Sequence, residues 1–130
     1  YLVQSSENIS QGNTSNDNTW AGIMLREASH RNNINNNSVS GNQGHGIAVA
    51  GLGDFDSSQD NVIAGNVANA NGYHGIGVWD CIKITIIGNT ASDNGSSGIY
   101  LILVDGSNIQ NNNWFSKFTW LDTSVSKRNW

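Results

Sequence analysis

The sequence contains no proline and only one cysteine, Cys81, among its 130 residues. A single cysteine excludes an intrachain disulfide framework and a cluster of cysteine metal ligands. Charged residues make up only 12% of the chain and the net charge is −4, so there is no basic surface to displace counterions from a nucleic acid. No apolar run approaches the roughly 18 residues of a membrane-spanning helix, which excludes a membrane span.

Asparagine, glycine and serine are the abundant residues, with 21, 15 and 16 copies respectively. This composition is typical of disordered segments, but it also fits a regular repeat. Hydrophobic residues make up 37% of the chain, and disorder predicts that they are scattered without a period. The spacing of the hydrophobic residues therefore decides between the two interpretations.

A Gly-Ile pair recurs four times, at successive steps of 24, 29 and 23 residues. One asparagine stands nine residues before each glycine and another stands four residues before it, while a leucine or valine follows two residues after each isoleucine. Agreement of four units at so many positions identifies an internal repeat. The four pairs are Gly22-Ile23, Gly46-Ile47, Gly75-Ile76 and Gly98-Ile99.

The alternating apolar residues of each unit predict short strands with one buried face, separated by turns rich in Asn, Gly and Ser. Because a step of 23 to 24 residues accommodates about three such strands, the units are expected to stack as coils about 4.8 Å apart. Asparagine amides stacked at this spacing bond to the amides above and below them. The prediction is an all-β fold, a right-handed parallel β-helix of about four to five coils, with an internal ladder of Asn13, Asn37, Asn66 and Asn89.

The pattern Asn-x-Ile-x-x-Asn followed by Asn-x-x-x-Gly-Ile-x-Leu resembles the right-handed parallel β-helix repeat family over roughly residues 8 to 112. That family includes pectate-lyase-like polysaccharide lyases, alginate C5-epimerases, several glycoside hydrolases, phage tailspikes and the periplasmic maturation protein NosD. The resemblance implies a solenoid and an action on polysaccharides. It selects no single activity, because one solenoid hosts many.

Two histidines, His45 and His74, stand directly before the glycine on neighbouring units. The strand spacing predicts that they lie about 4.8 Å apart, at the rim of the outward face. Imidazole exchanges protons near neutral pH and a phenol donates one, so His45, His74, Tyr73 and Asp80 are the candidate catalytic residues of a polysaccharide site. Aromatic rings are platforms for sugars, and the candidate substrate-binding residues are Trp20, Trp79, Tyr100 and Arg26.

The resemblance also implies a mechanism for such a site. In lyases and epimerases of this fold, groups of these types abstract the C5 proton of a uronic acid, while arginine, lysine or a cation neutralises its carboxylate. The Asp-Pro-His motif of the epimerases is absent here, since the sequence has no proline. The alternative interpretation of the histidine pair is two exposed turn residues, and a metal ion held by the pair would need further ligands.

Two further columns of the repeat carry expectations about packing. The residues between the inward isoleucine and leucine are expected to face outwards and to form a smooth floor of low charge, on which a flat chain can lie. They include Met24, Ala48, Gly77 and Tyr100. Six residues after the glycines stand Ala28, Leu52, Cys81 and Val104, which predicts an inward column and a core position for the cysteine.

The 29-residue step contains an insertion at residues 51–60, which is expected to protrude as a loop on the unit that carries His45. Asp54, Asp56 and Asp60 are candidate ligands for a calcium ion, although their spacing differs from that of an EF-hand loop. A solvated acidic loop is the alternative. Asp80 paired with Asp54 or Asp56 would instead indicate a hydrolase, depending on the distance between the carboxylates. Apart from calcium, no cofactor is predicted.

Residues 1–130 are expected to form one β-helix domain that is an excerpt of a longer solenoid, with 113–130 as a degenerate last coil or cap. An alternative is a chain whose open ends stack on other subunits. The predicted function is a polysaccharide-interacting segment of a secreted or periplasmic carbohydrate-active enzyme of lyase, C5-epimerase or glycoside hydrolase type. The alternative function is a non-catalytic structural or adhesive solenoid, or a subunit that stacks end to end into a fibre.

Overall fold

The computed structural model describes residues 1–52 and 57–114, together with the backbone of 117–121. The elements in these ranges are all strands, and none is a helix long and apolar enough to cross a bilayer. The predictions for Asp54 and Asp56 lie outside the described residues. The strands are β1 (Leu2–Val3), β2 (Ile9–Gln11), β3 (Ile23–Arg26), β4 (Asn33–Asn35), β5 (Ile47–Ala50), β6 (Ser58–Gln59), β7 (Val62–Ala64), β8 (Ile76–Ile82), β9 (Thr85–Ile87), β10 (Ser97–Asp105), β11 (Asn108–Gln110) and β12 (Lys117–Leu121).

The strands form two parallel sheets in which each strand pairs with its equivalent on the next coil. The first sheet has the order β1-β3-β5-β8-β10-β12, with β6 also paired to β8, and the second has the order β11-β9-β7-β4-β2. Isolated parallel bridges, such as Ser38 to Val67 and Val67 to Thr90, connect the coils on a third side. The chain is therefore a parallel β-solenoid of about five turns, which confirms the predicted fold class.

The register of the first sheet stacks the repeat as the sequence spacing predicts. Ile47 pairs with Ile76, and Ile76 pairs with Ile99, so the isoleucine that follows each glycine lies above its equivalent. Ile47, Ile76 and Ile99 are fully buried, whereas Ile23 is partly buried. The leucines and valines two residues later are also fully buried, so the alternation of apolar residues places one continuous core between the sheets.

Asparagine ladders stabilise the interior of each turn. The Asn66 Oδ1 atom accepts hydrogen bonds from the backbone N–H and the Nδ2 of Asn37, at 2.9 and 3.0 Å. Its Nδ2 donates to the Ile34 carbonyl at 2.9 Å and to Asn89 Oδ1 at 3.0 Å. Four partners satisfy this buried amide, whereas an unpaired one would be unfavourable. This bonding confirms the predicted ladder.

The described residues form three asparagine ladders, one of which is the ladder that the sequence predicts. The signal for the others is a five-residue step between asparagines, as from Asn61 to Asn66 to Asn71. In most turns, the residue before each ladder asparagine has a left-handed backbone, as at Asn36 (φ 52°) and Gly65 (φ 63°). The ladders comprise Asn8, Asn32 and Asn61; Asn13, Asn37, Asn66, Asn89 and Asn112; and Asn18, Asn42, Asn71 and Asn94.

The inward column of Cys81 differs from its prediction. Cys81 is buried as expected, and its backbone partners are Ser58 and Val104. Leu52, however, is 55% exposed, because the chain enters the inserted segment before it returns to the sheet at Ser58. On the first coil the position belongs to Ser29, whose backbone N–H donates to the Ser58 Oγ atom at 3.3 Å, and not to Ala28.

Candidate functional site

The two histidines of neighbouring coils stack on each other, as their shared position in the repeat predicts. The His45 and His74 rings have centroids 5.2 Å apart and an interplanar angle of 17°. Tyr100 of the next coil extends the stack, with its ring 4.3 Å from His74 and only 5° from parallel. Three successive coils therefore contribute one continuous column of rings.

Each imidazole also takes part in the bonding between coils. The backbone N–H of His74 donates to the Nδ1 atom of His45 at 3.4 Å, and the backbone N–H of Ser97 donates to the Nδ1 atom of His74 at 3.3 Å. Since Nδ1 is the acceptor, this network assigns the ring proton to Nε2 in both neutral imidazoles. Both residues are buried, which contradicts the alternative interpretation of two exposed turn residues.

Burial keeps both imidazoles uncharged at neutral pH. Desolvation, and secondarily the neighbouring His74 ring, lower the pKa of His45 to about 4. Desolvation also lowers the pKa of His74. A neutral imidazole with an occupied Nδ1 presents an N–H donor from Nε2, rather than a free lone pair that could accept a proton.

Trp79 covers the floor that the sequence predicted to be open. A Cβ atom added at Gly77 would overlap the Trp79 indole, so the ring lies directly over this glycine. Ala48, one coil away in the same column, is fully buried. The indole is also 4.9 Å from the His45 ring and 6.0 Å from the Tyr100 ring. The outward face is thus an aromatic surface and not a bare backbone floor.

A cleft of about 330 Å³ lies beside this aromatic surface. Arg26, Ala50 and Trp79 occupy one register column on three successive coils, and the small central alanine leaves space between the two large side chains. Met24 belongs to the outward floor that the sequence predicts, whereas Ala50 is not among the predicted site residues, although its register with Trp79 is a signal for it. The lining residues are Trp20, Met24, Arg26, His45, Ala50 and Trp79.

Arg26 is the charged residue that lines the cleft, and it is loosely held. Its guanidinium is 4.0 Å from the Glu27 carboxylate, and its Nη1 donates to the Tyr1 hydroxyl at 3.4 Å. Both distances are long for charge-assisted contacts, and the side chain is 40% exposed. The guanidinium therefore has N–H donors to offer an anionic group in the cleft.

Trp20 and Tyr73 stand on either side of His45, and each is 58% exposed. Their ring centroids are 5.8 and 5.5 Å from the imidazole, in edge-on geometry. The structure thus brings together seven of the eight residues singled out for this site. They are Trp20, Arg26, His45, Tyr73, His74, Trp79 and Tyr100.

Asp80 and Asp60 are the acidic candidates among the described residues. Asp80 follows Trp79 with a left-handed backbone (φ 49°), and within residues 1–52 and 57–114 no ring contact, hydrogen bond or ion pair joins it to either imidazole. Asp60 is an exposed corner residue, also with a left-handed backbone (φ 54°). Over the same described ranges, no three His, Cys, Asp or Glu side chains lie close enough to hold a metal ion together.

Comparison with known proteins relates the chain to two groups. The NosD family, described as periplasmic copper-binding protein, matches residues 53–120. Among solved structures, the chain is similar to the Azotobacter vinelandii mannuronan C-5 epimerase AlgE4 A-module, with a TM-score of 0.69 and 26% identity over 86% of this chain. The match spans only 29% of the length of that module, and a search of curated protein sequences found no match. Because the family match covers more than half of its length, this chain belongs to the NosD family of parallel β-helix proteins.

Proposed function

We propose that the chain is a glycan-binding β-solenoid, whose cleft and adjoining aromatic face bind an acidic polysaccharide. The observation that carries the proposal is the cluster of rings at one cleft, with a loosely held arginine in its wall. Aromatic rings stack on the apolar faces of sugars, and a guanidinium binds a carboxylate through two parallel N–H donors. The similar AlgE4 module is named for mannuronan, a polymer of an acidic sugar, which supports the same class of ligand.

The charge of the cleft favours an acidic polymer over a neutral one. Arg26 contributes a permanent positive charge, and the other lining residues carry no carboxylate. His45 in the same wall is neutral at pH 7, because burial lowers its pKa to about 4. An acidic sugar therefore meets one cation and several N–H donors in the lining of the cleft, while the Glu27 carboxylate, 4.0 Å from the guanidinium, lies outside that lining.

The imidazoles support binding more than proton abstraction. The sequence assigned His45, His74, Tyr73 and Asp80 to catalysis, and these roles stay predictions. A base that removes a proton from a sugar carbon needs an accessible lone pair and a pKa near the working pH. In both histidines the Nδ1 atom accepts a backbone hydrogen bond and the pKa is lowered. Their proposed role is therefore to donate a hydrogen bond from Nε2 to a sugar hydroxyl or carboxylate.

The family description names copper, and the described His, Cys, Asp and Glu side chains do not form a cluster that would hold it. Copper ions in proteins are held by clusters of imidazole, thiolate or thioether ligands. Cys81 is buried and its pKa is raised to about 12 by burial, so its thiolate is not available. Within residues 1–52 and 57–114, no three His, Cys, Asp or Glu side chains converge. No part of the proposal therefore depends on copper.

The proposed ligand and the family together indicate where the chain works. NosD proteins are described as periplasmic, and the similar AlgE4 module is named for a polysaccharide. We therefore place the chain in the periplasm or outside the cell, in contact with a polysaccharide. End-to-end self-association and continuation into a longer solenoid remain proposals for partners of this fold.

The test is binding of polymannuronate by isothermal titration calorimetry, with a neutral β-1,4-glucan polymer as the comparison. Wild-type protein is expected to bind the acidic polymer more tightly than the neutral one. Arg26→Gln should weaken polymannuronate binding by roughly tenfold, because one charge-assisted contact contributes about 1.5 kcal/mol. The neutral polymer should bind both proteins equally.

Arg31→Gln is the matched control, because Arg31 is also a surface arginine but lies at another corner of the coil, bonded to Glu7. Its polymannuronate affinity should equal that of wild type. Absence of binding to either polymer would reject the proposal and favour a structural solenoid. Shortening of polymannuronate chains or epimerised products during the titration would show that catalysis accompanies binding.

A further inference from the structure

Two exposed aromatic residues occupy one register column of the solenoid. The backbone N–H of Gly44 donates to the Trp20 carbonyl at 2.7 Å, and the backbone N–H of Tyr73 donates to the Gly44 carbonyl at 2.9 Å. Trp20, Gly44 and Tyr73 therefore stand at equivalent positions on three successive coils. Trp20 and Tyr73 are separated by two strand spacings, roughly 9.6 Å along the solenoid axis.

Gly44, the residue between these two aromatic residues in the column, has no side chain. A Cβ atom added at Gly44 would overlap the carbonyl group of Trp20, so any larger residue would displace one coil from the next. Below the gap lies the His45 ring, which both aromatic residues contact edge-on. Because the Nδ1 atom of His45 accepts a hydrogen bond from the backbone N–H of His74 on the next coil, the polar group left on the imidazole ring is the Nε2–H donor.

Both rings are solvent-exposed although each is a large residue. Trp20 and Tyr73 are each 58% exposed, while the other rings of the cluster are buried or half-buried. Large aromatic residues held in place but open to solvent on one face are typical of binding surfaces. Their separation along the axis is a property of the coil register, so it is more rigid than a spacing set by loops.

We infer that Trp20 and Tyr73 form a ruler for linear sugar chains, in which every second pyranose stacks on an aromatic ring and the intervening sugar lies over Gly44 and His45. The inference rests on the proposed function and specifies how the ligand lies. One sugar of an extended, equatorially linked chain is about as long as one strand spacing. Such a chain running along the solenoid axis therefore advances one sugar per coil and meets the second ring at its third sugar. Compact or strongly bent linkages do not reach both rings.

The experiment measures the affinity of mannuronate oligosaccharides of two, three and four sugars by isothermal titration calorimetry. In wild-type protein the trisaccharide should bind about fivefold to tenfold more tightly than the disaccharide, because it reaches the second ring and gains about 1 kcal/mol of stacking. The fourth sugar should add less than the third. In Tyr73→Ala the trisaccharide should fall to the affinity of the disaccharide.

Three variants separate this ruler from a general loss of structure. Tyr73→Phe keeps the ring and should retain the step between two and three sugars. Trp20→Ala should abolish the step as Tyr73→Ala does. The double variant should bind disaccharides more weakly than either single variant, because neither ring is left for a sugar to stack on. Val67→Ala removes an exposed apolar side chain from the third side of the solenoid and should change nothing.

The outcomes distinguish this inference from the function on which it rests. If wild-type protein binds oligosaccharides but shows no step at the third sugar, or if the step persists in Tyr73→Ala, the ruler is rejected and glycan binding stands. If wild-type protein binds neither the oligosaccharides nor polymannuronate, the proposed function fails, and the ruler fails with it.

Discussion

Removal of one central ladder amide, by Asn66→Ala, is expected to destabilise the solenoid strongly. The Asn66 side chain makes four hydrogen bonds: two accepted from Asn37, one donated to the Ile34 carbonyl and one donated to Asn89. After truncation, the Asn37 Nδ2 atom keeps its bond to the Ser10 carbonyl, and Asn89 Oδ1 still accepts from the Asn66 backbone. Among residues 1–52 and 57–114, the buried backbone N–H of Asn37 has no such second partner.

The expected loss of stability follows from the hydrogen bonds that Asn66→Ala removes. An orphaned buried N–H costs about 1–3 kcal/mol, and each of the other three lost bonds contributes about 0.5–1 kcal/mol net. The free energy of unfolding should therefore fall by about 2.5–6 kcal/mol, a large part of the 5–15 kcal/mol that is usual for a domain. With a denaturant slope of about 1–3 kcal/mol per molar urea, the unfolding midpoint should fall by more than about 1 M.

The assay is urea unfolding of Asn66→Ala beside the control Asn108→Ala, followed by tryptophan fluorescence and by far-ultraviolet circular dichroism. Asn108 is an exposed asparagine in β11, and its side chain makes no hydrogen bond among the described residues. Its truncation should change stability by less than about 0.5 kcal/mol. Coincident transitions for the two probes would show that unfolding is two-state, so that the free energies of the two variants can be compared. Equal midpoints for the two variants would refute the argument that the ladder is a main stabilising element.

Three further outcomes follow from individual contacts. The free energy of unfolding should fall as the pH decreases from 6.5 to about 4, because His45 binds a proton in the unfolded state while it stays neutral in the folded state. The loss is at most about 3 kcal/mol. Urea unfolding at a series of pH values measures it, and the same loss in His45→Gln would contradict the prediction. Gly77→Ala should destabilise by about 1–3 kcal/mol by displacing the Trp79 indole, and the effect should vanish in the Trp79→Ala background in thermal melts. Arg31→Gln removes an exposed ion pair with Glu7 and should lower the free energy of unfolding by less than about 1 kcal/mol. A thermal midpoint that falls by more than this energy allows would show that the pair stabilises the fold more than an exposed ion pair usually does.

Much of the candidate site was predictable because its residues share columns of the repeat. His45 and His74 precede equivalent glycines, so their stacking follows from the strand spacing alone. Tyr100 belongs to another column, that of Gly77, so its stacking on His74 did not follow from the repeat. The burial of the histidines was not predictable, because a residue next to a turn is exposed or buried according to what the neighbouring coils place over it.

At the insertion, the spacing of the repeat does not predict which residue occupies the inward column. The sequence spacing placed Leu52 in the inward column, but the chain leaves the sheet after Ala50 and rejoins it at Ser58. Counting forward from the glycine cannot locate the point at which a loop begins. Only the pairing of Ser58 with Cys81 establishes which residue occupies the column.

The sequence by itself determined the solenoid, its parallel register and the stacking of the asparagines, because these depend on periodic residues that meet their own equivalents on the next coil. The tertiary structure alone decided the chemistry of the surface. Trp79 lies over Gly77, Ala50 leaves a cleft beside Arg26, and the imidazoles become neutral donors. These features arise from contacts between unlike side chains in different columns, whose rotamers and desolvation depend on all their neighbours at once.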